Sequence, residues 1–240
     1  IILSREQYII SYNKFRRSPN WVAWKLAANL MGKSGRSNQF SVDQDLNNYL
    51  SQTMNSKGAV TSTEYRGSCY DRGHQVPSAD RTDSLSNNET TFLMSNMIPQ
   101  TAYLNRIIWE HLERHSRNLV QKQEKKLYIL SGPIYDQDFG HIGPQKDIPI
   151  PSKNFKIIYV LDSKNKIIET LAVIMPNTLR DGTMAIKDAE GNCPGLQVSD
   201  TDSQDWEKYK TSIQEIEKIS GLSFASPTSD ARESSHTSAL

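Results

Sequence analysis

Apolar positions along the chain fall into short blocks separated by polar stretches. Residues 7–12 and 21–30 carry Ile, Tyr, Trp, Val and Leu around Pro19-Asn20, and predict two short strands joined by a turn. Residues 32–63 are polar and predict a loop, interrupted by a short helix over 43–49. Residues 67–88 hold Gly67, Gly73, Pro77 and many Ser, Asp and Asn, and predict an ordered loop rather than a regular element. Residues 90–96 predict a strand or the start of a helix. The strongest helical pattern runs from 104 to 124. Runs of β-branched and apolar residues at 127–130, 155–161 and 167–174 predict buried strands. Trp206, Tyr209, Ile213, Ile216 and Ile219, three and four residues apart, predict one helix over 204–218. From Ala225 onward Ser, Thr, Asp and Ala dominate and predict a loose tail. The elements suit one α+β domain over 1–224, followed by a flexible tail over 225–240. No repeat is visible, and no apolar run approaches the roughly 18 residues that a membrane span needs.

Composition narrows the picture. Hydrophobic content is 36%, but ten Tyr and four Trp argue against disorder. A net charge of +1 gives the whole molecule no steering field. The distribution is more telling: residues 1–40 hold seven basic residues against one acid. A polyanionic partner would therefore meet the first half of the chain, although a solvated basic surface explains the charge equally well. Cys69 and Cys193 exclude a disulfide-dense scaffold and a four-cysteine zinc site. Three readings remain for them: two unpaired small residues, a catalytic thiol, or a bridge that would add about 4–5 kcal/mol in the chain-entropy model. The chain opens at Ile1, and we expect a processed or trimmed chain.

The helix from 104 shows a chemical face. With Asn105 at 0°, Trp109, Glu113 and Arg117 follow at about 40°, 80° and 120°, while Leu104, Ile107, Ile108, Leu112 and Leu119 lie between about 200° and 340°. Taken alone, the polar stripe predicts a solvent-facing Glu113–Arg117 pair. His111 and His115 are spaced for a metal, as in a zinc hydrolase, but they fall within the apolar face. Leu112 also stands where the zinc peptidase pattern has its glutamate. The most informative stretch is Asp71-Arg72-Gly73-His74-Gln75. It sets a phosphate-binding guanidinium beside an imidazole able to take a proton near neutral pH, with Gly73 permitting close approach or a positive φ.

That stretch resembles the signature of the DNA/RNA non-specific endonucleases of the ββα-metal (His-Me finger) class. Later blocks resemble the family in order and spacing: Thr91 through Gln100; Asn105, Trp109 and Glu113; Leu127 through Pro133; Pro151-Ser152-Lys153; and Val173 through Asn177. The resemblance spans roughly residues 6–224. It implies a ββα-metal finger built on a central, mainly antiparallel sheet flanked by helices. It also implies hydrolysis of DNA and RNA phosphodiesters with little sequence specificity.

Carried over residue by residue, the resemblance makes His74 the general base and Asn105 the ligand of Mg²⁺, with Mn²⁺ a substitute. Glu113 holds water around the metal, and Arg36, Arg72 and Arg117 contact phosphate. The loop from Arg36 to His74 is longer than in close relatives, and Gln75 stands where an apolar residue is common. DNA and RNA are the implied substrates, an inhibitor protein a further partner, no membrane is involved, and secretion or periplasmic residence is favoured. The competing class is an inactive nucleic-acid-binding module of the same fold, against which the intact His74, Asn105 and Glu113 argue.

Overall fold

The computed structural model describes residues 1–53, 57–199 and 205–224. In chain order the strands and helices are β1 (Ile2–Ser4), β2 (Ile9–Asn13), β3 (Ser18–Leu26), α1 (Gln44–Ser51), β4 (Asp71–His74), α2 (Leu85–Thr90), β5 (Met97–Gln100) and α3 (Trp109–Gln123). Then follow β6 (Lys126–Ile134), β7 (His141–Ile142), β8 (Ile148–Pro149), β9 (Lys153–Leu161), β10 (Ile167–Pro176) and α4 (Ile213–Ser220). Six strands form one antiparallel sheet in the order β1-β2-β3-β6-β9-β10. The short pairs β4–β5 and β7–β8 stand apart from it. The expected α+β class and mainly antiparallel sheet are what the fold shows.

Strand composition follows from what covers each face. β2 alternates buried and accessible residues, as a half-covered strand does. β9 is buried along nearly its whole length because both faces of the sheet are covered there. One face packs Trp24, Leu26, Ile129, Ile158 and Val160 against Leu104, Ile108 and Leu112 of the long helix. The other packs Phe155, Ile157 and Tyr159 with Ile216 of α4 and Phe224.

The predicted strands at 7–12, 21–30, 127–130, 155–161 and 167–174 all overlap observed strands, and the helix at 43–49 overlaps α1. Three differences have local causes. The helix expected over 204–218 is broken into a 3₁₀ turn at Asp205–Tyr209 and α4. The Thr211 amide donates to the Ala172 carbonyl of β10, and the Ser212 hydroxyl caps α4 by accepting from the Glu215 amide. The stretch 67–88, read as loop, carries β4 and α2, and 90–96 leads into β5 through a 3₁₀ turn, Met94–Asn96. Those short elements are held by polar pins rather than by apolar periodicity. Buried Asn88 donates to the carbonyls of Ser78 and Arg81, and buried Asn96 to those of Val76 and Thr91. The tail over 225–240 lies outside the described residues. No helix among the described residues is long and apolar enough to cross a membrane.

Cys69 and Cys193 are bonded, with Cα atoms 5.1 Å apart. The bridge ties the segment after β10 to the loop just before β4, within a small apolar cluster of Tyr65, Tyr70, Met94 and Ala185. It spans a sequence separation of 124 residues. Replacing both cysteines by alanine is therefore expected to destabilise the fold by about 4–5 kcal/mol and lower the melting temperature by on the order of 10 °C. Scanning calorimetry reads this directly; an unchanged melting temperature would mean that packing alone holds the two segments.

Candidate active site

The antiparallel pair β4–β5 sets Asp71 opposite Gln100, Arg72 opposite Pro99, Gly73 opposite Ile98 and His74 opposite Met97. Strand alternation sends Arg72 and His74 to one face and Asp71 and Gly73 to the other. The glycine is required sterically. A Cβ on Gly73 would lie 2.1 Å from Oε1 and 2.5 Å from Cγ of the fully buried Gln100. Gly73 is not among the positive-φ residues, so strained backbone does not account for it.

His74 is buried, its ring edge-on to Phe92 at 4.9 Å and tilted against Phe40 at 5.7 Å. Each phenyl ring also carries an arginine: Arg36 lies 4.9 Å above Phe92, and Arg72 lies 3.9 Å above Phe40. Their forks are further fixed by hydroxyls, Arg36 Nη1 donating to Ser78 Oγ at 2.7 Å and Arg72 Nη1 to Ser62 Oγ at 2.6 Å. Burial, helped by these two cations, pushes the His74 pKa down to about 3. The imidazole is thus neutral across the ordinary pH range.

Asn105 enters from one π-helical turn, Leu104–Ile108, that precedes α3. Its Nδ2 donates to Asp71 Oδ2 at 2.8 Å, and Asp71 is clasped by Arg106 through Nε at 2.8 Å and Nη2 at 2.7 Å. An ionised carboxylate only accepts hydrogen bonds, so Asp71 selects the orientation of the Asn105 amide and leaves its carbonyl oxygen as the atom for a ligand.

The stripe on the helix is not solvent-facing. Trp109 is 1% exposed, and Glu113 meets the buried Lys156 of β9 at 3.5 Å. Arg117 reaches only to 4.0 Å from Glu113; its shorter contacts are to Asp80 at 3.3 Å and Glu110 at 3.4 Å. The pair expected from the helical wheel is present at 4.0 Å, but both partners are largely buried rather than solvent-facing. Burial raises the Glu113 pKa to about 7, with Lys156 and Arg117 acting against the rise. His111 is buried, while His115 lies 4.8 Å from Trp206.

Arg36, Arg72, His74, Asn105, Glu113 and Arg117 all line a single cleft of about 720 Å³. The longer loop therefore does bring Arg36 to the others. Arg66 lines the same cleft and adds a further cation that the motif does not include. Pattern reading also missed Phe40, Phe92, Asp71, Arg106, Asp80 and Lys156. For Lys156 a signal existed: one lysine inside an apolar run read as a buried strand.

A cleft with four guanidiniums, three carboxylates and one neutral imidazole is the kind of place where a phosphodiester is bound and a water deprotonated. Similarity to known proteins points the same way. A model of the DNA/RNA non-specific endonuclease family matches residues 1–231, and the chain belongs to that family. It is 37% identical over 230 residues to a nuclease of Nostoc sp., covering 95% of this chain and 74% of that protein. It is 26% identical over 231 residues to human mitochondrial endonuclease G, covering 92% of this chain and 68% of the relative. A chain in the crystal structure of the EndoG/EndoGI complex superposes with a TM-score of 0.71 at 24% identity, covering 93% of this chain and 84% of that one. The chain is thus a DNA/RNA non-specific endonuclease.

Proposed function

We propose that the enzyme hydrolyses DNA and RNA phosphodiesters with His74 as general base, Asn105 as the protein ligand of Mg²⁺, and Arg36, Arg72 and Arg117 on the phosphates. The observation that carries this reading is the meeting of these groups in one cleft, with His74 buried and neutral. The donor set suits a hard cation that keeps most of its water. Among the described residues no three His, Cys, Asp or Glu gather as a metal site, while the Asn105 carbonyl oxygen is left over by the Asp71 contact. When bound, Mg²⁺, or Mn²⁺ in its place, supplies Lewis-acid neutralisation of the phosphate and eases departure of the 3′ oxygen.

The protein's own groups do the rest. His74 takes the proton of the attacking water. Glu113, as an anion, accepts hydrogen bonds from water held around the cation. The arginines bind non-bridging phosphate oxygens through forked N–H donors, and since phosphates carry no base identity, cleavage is broadly sequence-tolerant. A secreted or periplasmic working place belongs to the proposal, because the Cys69–Cys193 bridge suits an oxidising compartment. So does an inhibitor protein able to cover the cleft.

Nicking of supercoiled plasmid, with Mg²⁺ and with EDTA, tests the reading. We expect cleavage with Mg²⁺, none with EDTA, and little base preference. With about four phosphates neutralised, duplex affinity should fall with salt at a log–log slope near −3.6. Activity that survives EDTA, stays flat between about 50 and 300 mM NaCl or is confined to one sequence contradicts it.

A further inference from the structure

Behind the cleft a closed circuit of polar contacts joins two of its lining residues, Glu113 and Arg117, to Lys156, Trp109, Trp24 and Asp80, which do not line it and have no assigned role. Lys156 projects from the middle of β9 and is 1% exposed. Its Nζ lies 4.1 Å from the centre of the Trp109 ring, 5.7 Å from that of Trp24 and 3.5 Å from Glu113 Oε1. The circuit returns through Arg117, 4.0 Å from Glu113 and 3.3 Å from Asp80, and through Asp80, whose Oδ2 accepts from Trp24 Nε1 at 2.9 Å. The sheet, the helix and the Ser78–Asp80 turn thus meet at two tryptophans, two cations and two carboxylates.

We infer that Lys156 is a positioning residue for catalysis: from behind the cleft it favours the anionic form of the Glu113 carboxylate and fixes it in place. The inference rests on the proposed role of Glu113 and deepens it. A carboxylate this buried favours its neutral form, and a neutral carboxyl is a poorer acceptor for ordered water. The charged groups acting on Glu113 are Lys156 from β9, Arg117 and Glu110 from its own helix, Asp80 from the neighbouring turn and Arg36 across the cleft. Of the cations, Arg117 is shared with Asp80 and Glu110, and Arg36 is tied to Ser78 and Asn38. Lys156 has Glu113 as its one ion-pair partner among the described residues. Two tryptophan faces stabilise the ammonium without supplying a counter-charge; burial lowers the Lys156 pKa and raises that of Glu113, and each partner opposes the other's shift.

Lys156→Met keeps the length of the side chain and removes its charge. An opposite charge at this distance shifts a carboxyl by about one to three pH units. Taking the lower part of that range, kcat at pH 7 is expected to fall about 5- to 50-fold with KM within about threefold. The deficit should shrink to about twofold or less at pH 9, where Glu113 ionises unaided. In metal-free protein, ¹³C NMR of the Glu113 carboxyl should show its titration midpoint raised by at least about one unit in the variant. Lys156→Arg, which retains a cation, should keep the wild-type midpoint, and Lys156→Met should cost nothing further in a Glu113→Gln background.

If Lys156→Met does not fold, Lys156→Gln gives the same readouts. A pH-independent loss of kcat, an unmoved Glu113 midpoint, or losses that add fully to those of Glu113→Gln overturn the inference. An inactive Glu113→Gln beside a fully active Lys156→Met overturns this inference alone. A fully active Glu113→Gln removes the proposed role of Glu113, and this inference with it.

Discussion

His74→Ala is expected to lower kcat at least about a hundredfold, and up to about ten-thousandfold, while the protein remains folded. The loss is that of a base already in its working form. Burial between Phe40 and Phe92 and the nearby charges of Arg36 and Arg72 hold the imidazole neutral down to about pH 3. Raising the pH should therefore not rescue the variant, since no other histidine among the described residues lines the cleft. The arginines that bind phosphate stay in place on their phenyl rings and hydroxyls, so KM should change much less than kcat. Steady-state cleavage of a short duplex at pH 8, with circular dichroism as a check of folding, measures both effects. More than a tenth of wild-type kcat would remove His74 from the role.

Asn105→Ala should be comparably severe for a different reason. Lewis-acid stabilisation of a phosphoryl transition state amounts to several kcal/mol, or roughly a hundred- to a thousandfold in rate. Alanine removes the carbonyl oxygen that the Asp71 contact leaves over, and it also strips Asp71 of one of its donors. Arg106 still clasps Asp71, so the strand and the π-helical turn should keep their relation. Calorimetric titration with Mg²⁺ should show lost or strongly weakened binding, while gel-shift affinity for duplex in EDTA stays within about threefold of wild type. Unchanged metal affinity would move the ligand elsewhere, with Glu113 the first alternative.

What could be read from the sequence follows from which forces set each element. The β9 and β10 runs, 155–161 and 167–174, and the helix beyond Leu104 are held by apolar burial, and burial writes a period into the chain. β4 and β5 carry no such period. Asp71-Arg72-Gly73-His74 is polar, Pro99 interrupts its partner, and the pair is held by register and by the asparagine pins. The chemistry of the motif was nonetheless legible, because a guanidinium and an imidazole stand together at Arg72 and His74 whatever the backbone does.

The supporting residues were not legible in the same way. Asp71 meets Arg106, Phe40 stacks on His74, and Lys156 reaches Glu113 only through contacts between segments far apart in the chain. Gly73 was singled out for conformational freedom, whereas its use is to make room for Gln100. The pairing of Cys69 with Cys193 could be posed but not settled, since nothing local brings residues 124 apart to within 5.1 Å.

β3 is hydrogen-bonded to β6, Leu26 facing Leu127 across the ladder. Everything between these strands leaves the sheet and comes back to it at the same place, and that excursion contains Arg36, Arg72, His74, Asn105, Glu113 and Arg117. Closing a loop of about 100 residues costs on the order of 4 kcal/mol in chain entropy before any ladder bond repays it. That cost weighs against early pairing of β3 with β6. Lys156 lies beyond β6, on a strand that pairs with it, so the circuit behind Glu113 is joined later still along the chain. A chain in the course of synthesis has added all six cleft residues by Arg117, before β6 begins at Lys126 and before Lys156 is added on β9.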